Sequence, residues 1–114
     1  MKYTILLLMQ ATPAWLSLTR KERSVFFEGK LSPIIDKFSE DLTVRLFDAE
    51  FFNAAVSDYM MVETENLEAY ADFIEYLRDT EIYGVPYFEI KDIITGVENR
   101  FKTFDEKLKN ENNG

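Results

Sequence analysis

The sequence predicts an α+β fold in which strands and helices follow the order βαββαβ, with one more helix after the last strand. Two segments within residues 42–64 alternate with a period of two, which is typical of a β-hairpin. A strand-like and then a helix-like segment precede this hairpin, and a helix-like and then a strand-like segment follow it. The 114 residues are enough for one domain with its own core.

The first strand is predicted over residues 3–10, where five apolar residues follow one another without a break: Ile5, Leu6, Leu7, Leu8 and Met9. Such a run is typical of a strand that is covered on both faces. The two helices of a βαββαβ unit cover only one face of the sheet. We therefore expect a second copy of the chain to cover the other face.

A first helix is predicted to begin after Thr19, because Glu22 three residues later completes the pattern of a capping box. The side chains that follow at helical spacing predict its buried face: Phe27, Leu31, Ile34, Ile35 and Phe38. Gly29 and Pro33 interrupt this pattern. We expect a kink there, or a second short helix that starts at Ser32 with Pro33 in its first turn.

A second helix is predicted after the hairpin, with Thr64 or Asn66 as its N-cap. Its apolar face consists of Leu67, Tyr70, Phe73, Ile74 and Leu77. Its acidic face, Glu68, Asp72, Glu75 and Asp79, is interpreted as solvated, with docking of a basic partner as the alternative. The last strand is predicted over residues 87–94 and a tail helix over about 97–109, and residues 110–114 are expected to be disordered.

Residues 1–109 therefore form a single predicted domain with ferredoxin-like topology. Its antiparallel sheet has the strand order 4-1-3-2, and both helices lie on one face. The chain has ten Phe, six Tyr and one Trp. Each aromatic side chain can bury on the order of 150–250 Å². The total aromatic area is therefore more than a core on one face of the sheet needs. We expect a homodimer in which the uncovered sheet faces pack together as a dimeric α/β barrel.

The composition excludes several classes of function. The chain has no cysteine and no histidine, so thiolate metal sites, a cysteine nucleophile and histidine ligation are absent. Asp48 and Glu50, beside the hairpin turn, lack metal-ligand spacing and are interpreted as solvated, so we expect no metal and no cofactor. The net charge of −8 disfavours nucleic acid and anionic membranes. The apolar run at the N-terminus stops at Gln10, so we expect a soluble cytoplasmic protein.

Several segments in order, TPAWLSL, TRKER, RLFDAEFFN, SDYMMVET, YFEI and GVENRF, resemble the darcynin family of small bacterial proteins. The similarity extends over nearly the whole chain. The turn Thr12-Pro13-Ala14-Trp15 followed by a capping box is unusual. The resemblance implies a ferredoxin-like fold related to the dimeric α/β-barrel group, and it implies no established activity.

Alternation along the hairpin predicts which side chains face the cavity between the two sheets of the dimer. They are Thr43, Arg45 and Phe47 on the first arm, and Asp58, Met60 and Val62 on the second. Arg45 and Asp58 then lie diagonally on one face, where a guanidinium and a carboxylate suit a small ligand. The alternative is an ion pair that positions the hairpin or bridges the dimer.

The predicted ligand-binding residues are Arg45, Asp58, Trp15, Phe47 and Met60. Asp58 is the candidate general base. Trp15 is predicted either to close over the mouth of the cavity or to plug the end of the core.

Two hypotheses for the function follow. The first is a protein that binds a small, partly apolar ligand in the inter-sheet cavity, and that acts as a cofactor-independent oxygenase- or isomerase-like enzyme; this rests on analogy of fold. The alternative is a non-enzymatic dimer that interacts through its acidic helix surface.

Overall fold

The computed structural model describes residues 1–113 and has the predicted order of elements. The strands are β1 (Tyr3–Ala11), β2 (Leu42–Asp48), β3 (Asp58–Thr64) and β4 (Phe88–Gly96). The helices are α1 (Pro13–Leu16), α2 (Arg20–Phe26), α3 (Ser32–Lys37), α4 (Leu67–Arg78), α5 (Glu81–Gly84) and α6 (Arg100–Asn113), and a π-helical turn (Phe27–Leu31) joins α2 to α3.

The sheet is antiparallel with the strand order β2-β3-β1-β4, which confirms the predicted topology. The central strands are β3 and β1; the edge strand β2 pairs with β3, and the edge strand β4 pairs with β1. Strand β4 begins one residue later and ends two residues later than predicted. A register shift between Leu8 and Met9 interrupts the pairing of β1 with β4.

One face of the sheet packs against the helices and forms the core. Ile5 and Leu7 of β1, Val62 of β3 and Phe73 of α4 are almost completely buried there. Burying each such side chain stabilises the fold by roughly 1.5–3 kcal/mol. Along β1 and β3 the buried positions alternate with half-exposed ones, so the opposite face of the sheet is open in the single chain.

The segment from α2 to α3 confirms both predicted signals and shows one difference. Thr19 and Glu22 form the capping box, with each backbone N–H bound to the other's side chain at 2.9 and 3.1 Å. Pro33 lies in the first turn of α3, as predicted. The π-helical turn adds a residue to the helical repeat, so Phe26 and Leu31, five positions apart, are buried, whereas Phe27 is 38% exposed.

The second helix, α4, has Asn66 as its N-cap, and the Asn66 side chain accepts a hydrogen bond from Ala69 N at 3.0 Å. Phe73 and Leu77 face the core, whereas Leu67 is exposed. The acidic side chains that share its outer face are all exposed: Glu68, Asp72, Glu75 and Asp79.

The predicted faces of the second hairpin arm are wrong. Arg45 pairs with Met61, one residue away from the predicted partner Met60. Met60 and Val62 are buried on the helix side, and Asp58 pairs with Met9 of the core on that same side. A slip of one residue moves every side chain to the other face. Apolar residues occupy both faces of β3, so alternation alone does not fix which set is buried.

Helix α6 begins at Arg100 and continues through residues 110–113, which were expected to be disordered; Gly114 lies outside the described residues. The molecule measures 62 × 31 × 19 Å. Among the described residues, none of the helices combines the length and the apolar character needed to cross a membrane.

Candidate functional site

A pocket of about 640 Å³ lies between the helices and the buried face of the sheet. It opens where β1 ends and β3 and β4 begin. Most of its wall is aliphatic or aromatic, and includes Leu7, Met9, Trp15, Leu16, Phe26, Leu31, Leu46, Phe47, Phe51, Met60, Leu77, Ile82, Phe88 and Ile90. Volumes and linings of this kind are typical of sites for small molecules.

Trp15 forms one wall of this pocket. Thr12 caps α1 and fixes its position, because the Thr12 hydroxyl contacts the carbonyl oxygens of Pro86 at 2.7 Å and Tyr87 at 3.0 Å. The Trp15 ring packs against Phe88 and Tyr87, with centroid distances of 5.1 and 5.3 Å. Trp15 therefore packs at the end of the core, as one interpretation predicted, and also lines the pocket.

Two arginines of α2, Arg20 and Arg23, supply positive charge to the helical wall. They are three residues apart, so they share one face of α2. Within residues 1–113, neither forms an ion pair. The Nε atom of Arg23 is buried and has no hydrogen-bond partner among the residues that the structure describes. A buried donor without a partner is costly, so a ligand that accepts its hydrogen bond gains affinity.

Three carboxylates supply negative charge where the hairpin loop joins the sheet. Oxygen atoms of Asp48, Glu50 and Asp58 lie within 4.8 Å of one another. The Ser57 hydroxyl donates a hydrogen bond of 2.6 Å to Asp58 Oδ2. Partial burial is the main cause that raises the pKa of Asp58, and the charges of Glu50 and Asp48 raise it further, whereas the Ser57 hydrogen bond lowers it.

The pocket brings together four of the five predicted ligand-binding residues, on the helix side of the sheet and not in the predicted cavity between two sheets: Trp15, Phe47, Asp58 and Met60. Arg45 does not join them. It lies on the open face, where its Nη2 contacts Glu63 Oε1 at 2.7 Å, and Lys2 contacts the other Glu63 oxygen at 2.8 Å. The predicted diagonal pair of Arg45 and Asp58 is wrong, because the two side chains leave opposite faces of the sheet. Ligand binding by the predicted residues stays a prediction.

The sequence reasoning missed Arg20 and Arg23, and it missed that Asp58 joins Asp48 and Glu50. The arginines could have been found from their spacing with Phe26 on the capped helix, which puts positive charge beside a core side chain. The carboxylate group depends on how the loop of residues 49–57 folds back, and no local pattern predicts that geometry.

The open face of the sheet carries a second group of apolar side chains. Phe47 and Tyr59, which also line the pocket at the hairpin end of the sheet, stack there with ring centroids 4.7 Å apart. The remaining members, inferred from the pairing of β1 with its two neighbours, are Leu6, Leu8, Met61 and Ile94. All of these side chains are at least partly exposed in the single chain.

Residues 1–108 match the family model described as Darcynin, domain of unknown function. A Darcynin homolog of Streptomyces avermitilis is 36% identical over 98 residues, which cover 86% of this chain and 80% of that protein. Darcynin of Chromobacterium violaceum is 42% identical over 78 residues, which cover 68% of this chain and 98% of that protein.

Two solved structures share the fold at low sequence identity. One, described as a novel heme-binding protein from Thermus thermophilus, has a TM-score of 0.75 and 16% identity, and covers 90% of this chain. The other, chlorite dismutase from Candidatus Nitrospira defluvii in complex with imidazole, has a TM-score of 0.74 and 13% identity, and covers 87% of this chain. This chain spans 43% and 40% of their lengths, and at these identities the likeness shows the fold alone.

Proposed function

The chain belongs to the darcynin family, and from its structure we propose that it binds a small, largely apolar molecule that carries an acidic group. The ligand occupies the pocket between the helices and the sheet, where the apolar body contacts Trp15 and Phe88. One observation supports this most directly: Arg23 lines an apolar pocket of about 640 Å³, and its Nε is buried without a hydrogen-bond partner within residues 1–113.

The acidic group follows from the chemistry of the guanidinium. Arginine is always charged and binds carboxylates with two parallel hydrogen bonds. The chain has 21 acidic and 13 basic residues, and yet Arg20 and Arg23 form no ion pair within residues 1–113. The three carboxylates lie on the sheet side of the pocket and the arginines on the helical wall, so the two charged regions give a bound molecule one orientation.

Fluorescence of Trp15, the only tryptophan, reports binding directly. We expect 1-pyrenebutyrate to quench this fluorescence at lower concentration than 1-pyrenebutanol, which has the same ring system and no charge. Arg23→Gln weakens binding of the carboxylate probe about 10-fold, because a charge-assisted hydrogen bond contributes roughly 1.5–3 kcal/mol. The alcohol probe binds this variant as it binds the native chain.

Lys21→Gln is the matched control, since it removes one positive charge from the same helix at a residue outside the pocket lining. If neither probe quenches Trp15, the proposal of a binding pocket is wrong. If both probes bind equally and Arg23→Gln affects neither of them, the pocket stands and the preference for an acidic group is wrong.

Haem does not fit the donor set of this pocket. Histidine is absent from the chain. Burial raises the pKa of Tyr83 in the pocket wall, which keeps it a neutral phenol and disfavours the phenolate that ligates iron. Met9 and Met60 line the pocket but expose only 8% and 2% of their surface, and the ring of Tyr59, the other tyrosine of the lining, is stacked on Phe47. The residues of the pocket therefore do not favour haem as its ligand.

A cofactor-independent isomerase is the second candidate, and one observation favours it. Asp58 lines the pocket with a raised pKa, which makes its carboxylate a stronger base than an ordinary aspartate. Native mass spectrometry after gentle purification shows whether a molecule is retained. That molecule is then incubated in D₂O with the native chain and with Asp58→Asn. Deuterium uptake that only the native chain catalyses supports the isomerase, and equal uptake contradicts it.

We also propose that two copies associate through the open faces of their sheets. The apolar side chains of that face support the dimer: Leu6, Leu8, Phe47, Tyr59, Met61 and Ile94. A two-fold axis brings the same surface of each copy together, so one apolar face covers the other.

A further inference from the structure

Helix α6 extends away from the body of the chain with its apolar side uncovered. Phe101 is 72%, Phe104 52% and Leu108 41% exposed, and these three side chains form a stripe along one side of the helix. The radius of gyration is 17.5 Å. A compact domain of this length has a radius of about 13 Å. The sequence thus specifies an amphipathic helix whose apolar stripe stays largely exposed within residues 1–113.

The stripe borders the open face of the sheet. Arg100, Thr103 and Lys107 of α6 line a cleft of about 600 Å³ together with Thr4 and Glu63, which lie on that face. The three residues of the apolar stripe follow these positions by one residue, so they lie on the adjacent side of α6. A molecule that covers the open face therefore reaches the stripe without a gap.

The distribution of charge indicates what kind of molecule covers the open face and the stripe. Helix α6 carries four basic and three acidic residues: Arg100, Lys102, Lys107, Lys109, Asp105, Glu106 and Glu111. The rest of the chain carries nine basic and eighteen acidic residues. The net charge of α6 is therefore +1 and that of the rest of the chain is −9, so the helix complements the acidic body of another copy of this chain.

We propose that α6 is an arm that packs Phe101, Phe104 and Leu108 on a second copy of this chain. This inference rests on the dimer proposed above, in which the open faces meet. Phe101 and Phe104 together expose roughly 200–300 Å². In a two-fold contact each copy buries its own arm and also the surface that the arm of the other copy covers, so the area buried per partner is about twice this value. The sheet faces add the remainder of the roughly 800 Å² per partner that a stable interface buries.

Photo-crosslinking of the full chain tests the arm directly. Phe104 is replaced by p-benzoylphenylalanine, and equal amounts of ¹⁴N-labelled and ¹⁵N-labelled chains are mixed before irradiation. We expect covalent dimers in which half of the crosslinked peptide pairs contain one light and one heavy peptide. Crosslinks confined to a single chain overturn the arm. In that case sedimentation velocity shows whether the chain is still a dimer. A dimer without crosslinks between copies contradicts the arm and is consistent with the contact between sheets. A monomer contradicts both the arm and the contact between sheets.

The double variant Phe101→Ser/Phe104→Ser measures what the arm contributes. We expect its dimer Kd to rise at least ~10-fold, since buried aromatic side chains dominate interface energies. Phe52→Ser is the matched control, because Phe52 is 93% exposed in the hairpin loop, away from the stripe. Circular dichroism checks that both variants are folded. An equal Kd for the double variant and the control contradicts the arm.

Discussion

Asp58 combines a structural and an electrostatic role at one residue. Its carboxylate accepts a hydrogen bond from Ser57, whose hydroxyl also accepts one from Ala11 N at 2.7 Å. This pair therefore links the start of β3 to the end of β1. Partial burial and the neighbouring charges of Asp48 and Glu50 disfavour the ionised form, and they raise the pKa of Asp58 above its ordinary value of 3.8.

The raised pKa makes Asp58 a source of pH-dependent instability. The native chain holds the Asp58 proton more tightly than the unfolded chain, so stability falls as the pH rises from 3.8 through the folded-state pKa. We expect Asp58→Asn to be more stable than the native chain at pH 7, by less than about 1 kcal/mol because solvent screens the half-exposed group. Urea denaturation at pH 7 and at pH 3.5 measures this difference.

The same experiment contains its own control, since all other carboxyl groups are shared by the two chains. The advantage of Asp58→Asn is much smaller at pH 3.5, because this pH lies below both the ordinary pKa of 3.8 and the raised pKa of the folded state, so Asp58 is mostly protonated in both states. An advantage that is equal at both pH values indicates that the substitution acts through packing and contradicts the electrostatic explanation.

At the scale of elements, the sequence predicts what local chemistry determines. The capping box of Thr19 and Glu22 and the position of Pro33 are set by a few neighbouring residues, and both predictions are confirmed. The π-helical turn was missed, because the extra residue is stabilised by packing both Phe26 and Leu31 into the core. That packing depends on the sheet below, which the local sequence does not describe.

The hairpin shows the same limit for strands. The existence of the hairpin and the pairing of β2 with β3 are predicted correctly, because period-two alternation marks both arms. Which side chains of β3 face the core is not predicted correctly, because Met60 and Met61 are identical residues on opposite faces. The burial of Met60 is decided by contact with the core of β1 and α4, which are distant in sequence.

The two neighbouring methionines provide a test of the register. Met60 is 2% exposed, so Met60→Ala costs about 2–5 kcal/mol of unfolding free energy. Met61 is half-buried on the open face, so Met61→Ala costs less than about 1 kcal/mol in dilute solution. Urea denaturation at two protein concentrations measures both values. The cost of Met61→Ala grows with concentration, because Met61 belongs to the proposed dimer surface.

Equal costs for the two substitutions at low concentration contradict the register. A larger cost for Met61→Ala than for Met60→Ala indicates the opposite register, in which Met61 faces the helices and Met60 lies on the open face, as the sequence predicts.

At the scale of the whole molecule, the order of strands and helices could be predicted because βαββαβ leaves few topologies open. The pocket could not, because its wall combines side chains from β1, α2, the hairpin and β4. The extent of α6 was also missed, since polar residues such as Asn110 and Asn112 resemble a disordered tail by composition and are nevertheless helical.

The proposed dimer leads to a prediction for its central strand. Leu6 lies on the open face near the middle of β1, so Leu6→Arg introduces a charge into the apolar contact, and the two-fold axis adds a like charge from the other copy. We expect native mass spectrometry to show dimers of the native chain and single chains of the variant. Val25→Arg, on an exposed site of α2, is the control and keeps the dimer.

Retention of the dimer by Leu6→Arg shows that the copies meet elsewhere. A native chain that is single at micromolar concentration removes the dimer altogether, and leaves the open face without a partner of its own kind.

Alternation along β3 has a consequence for how this protein can change. Asp58 and Met60 line the pocket and Met61 lies on the open face, whereas Tyr59, stacked on Phe47, borders both surfaces. If the copies associate as proposed, substitutions at Met60 alter what the pocket accepts, those at Met61 alter self-association, and those at Tyr59 alter both. One strand therefore contributes to both surfaces, and the neighbouring residues Met60 and Met61 are positions at which either one can change with little effect on the other.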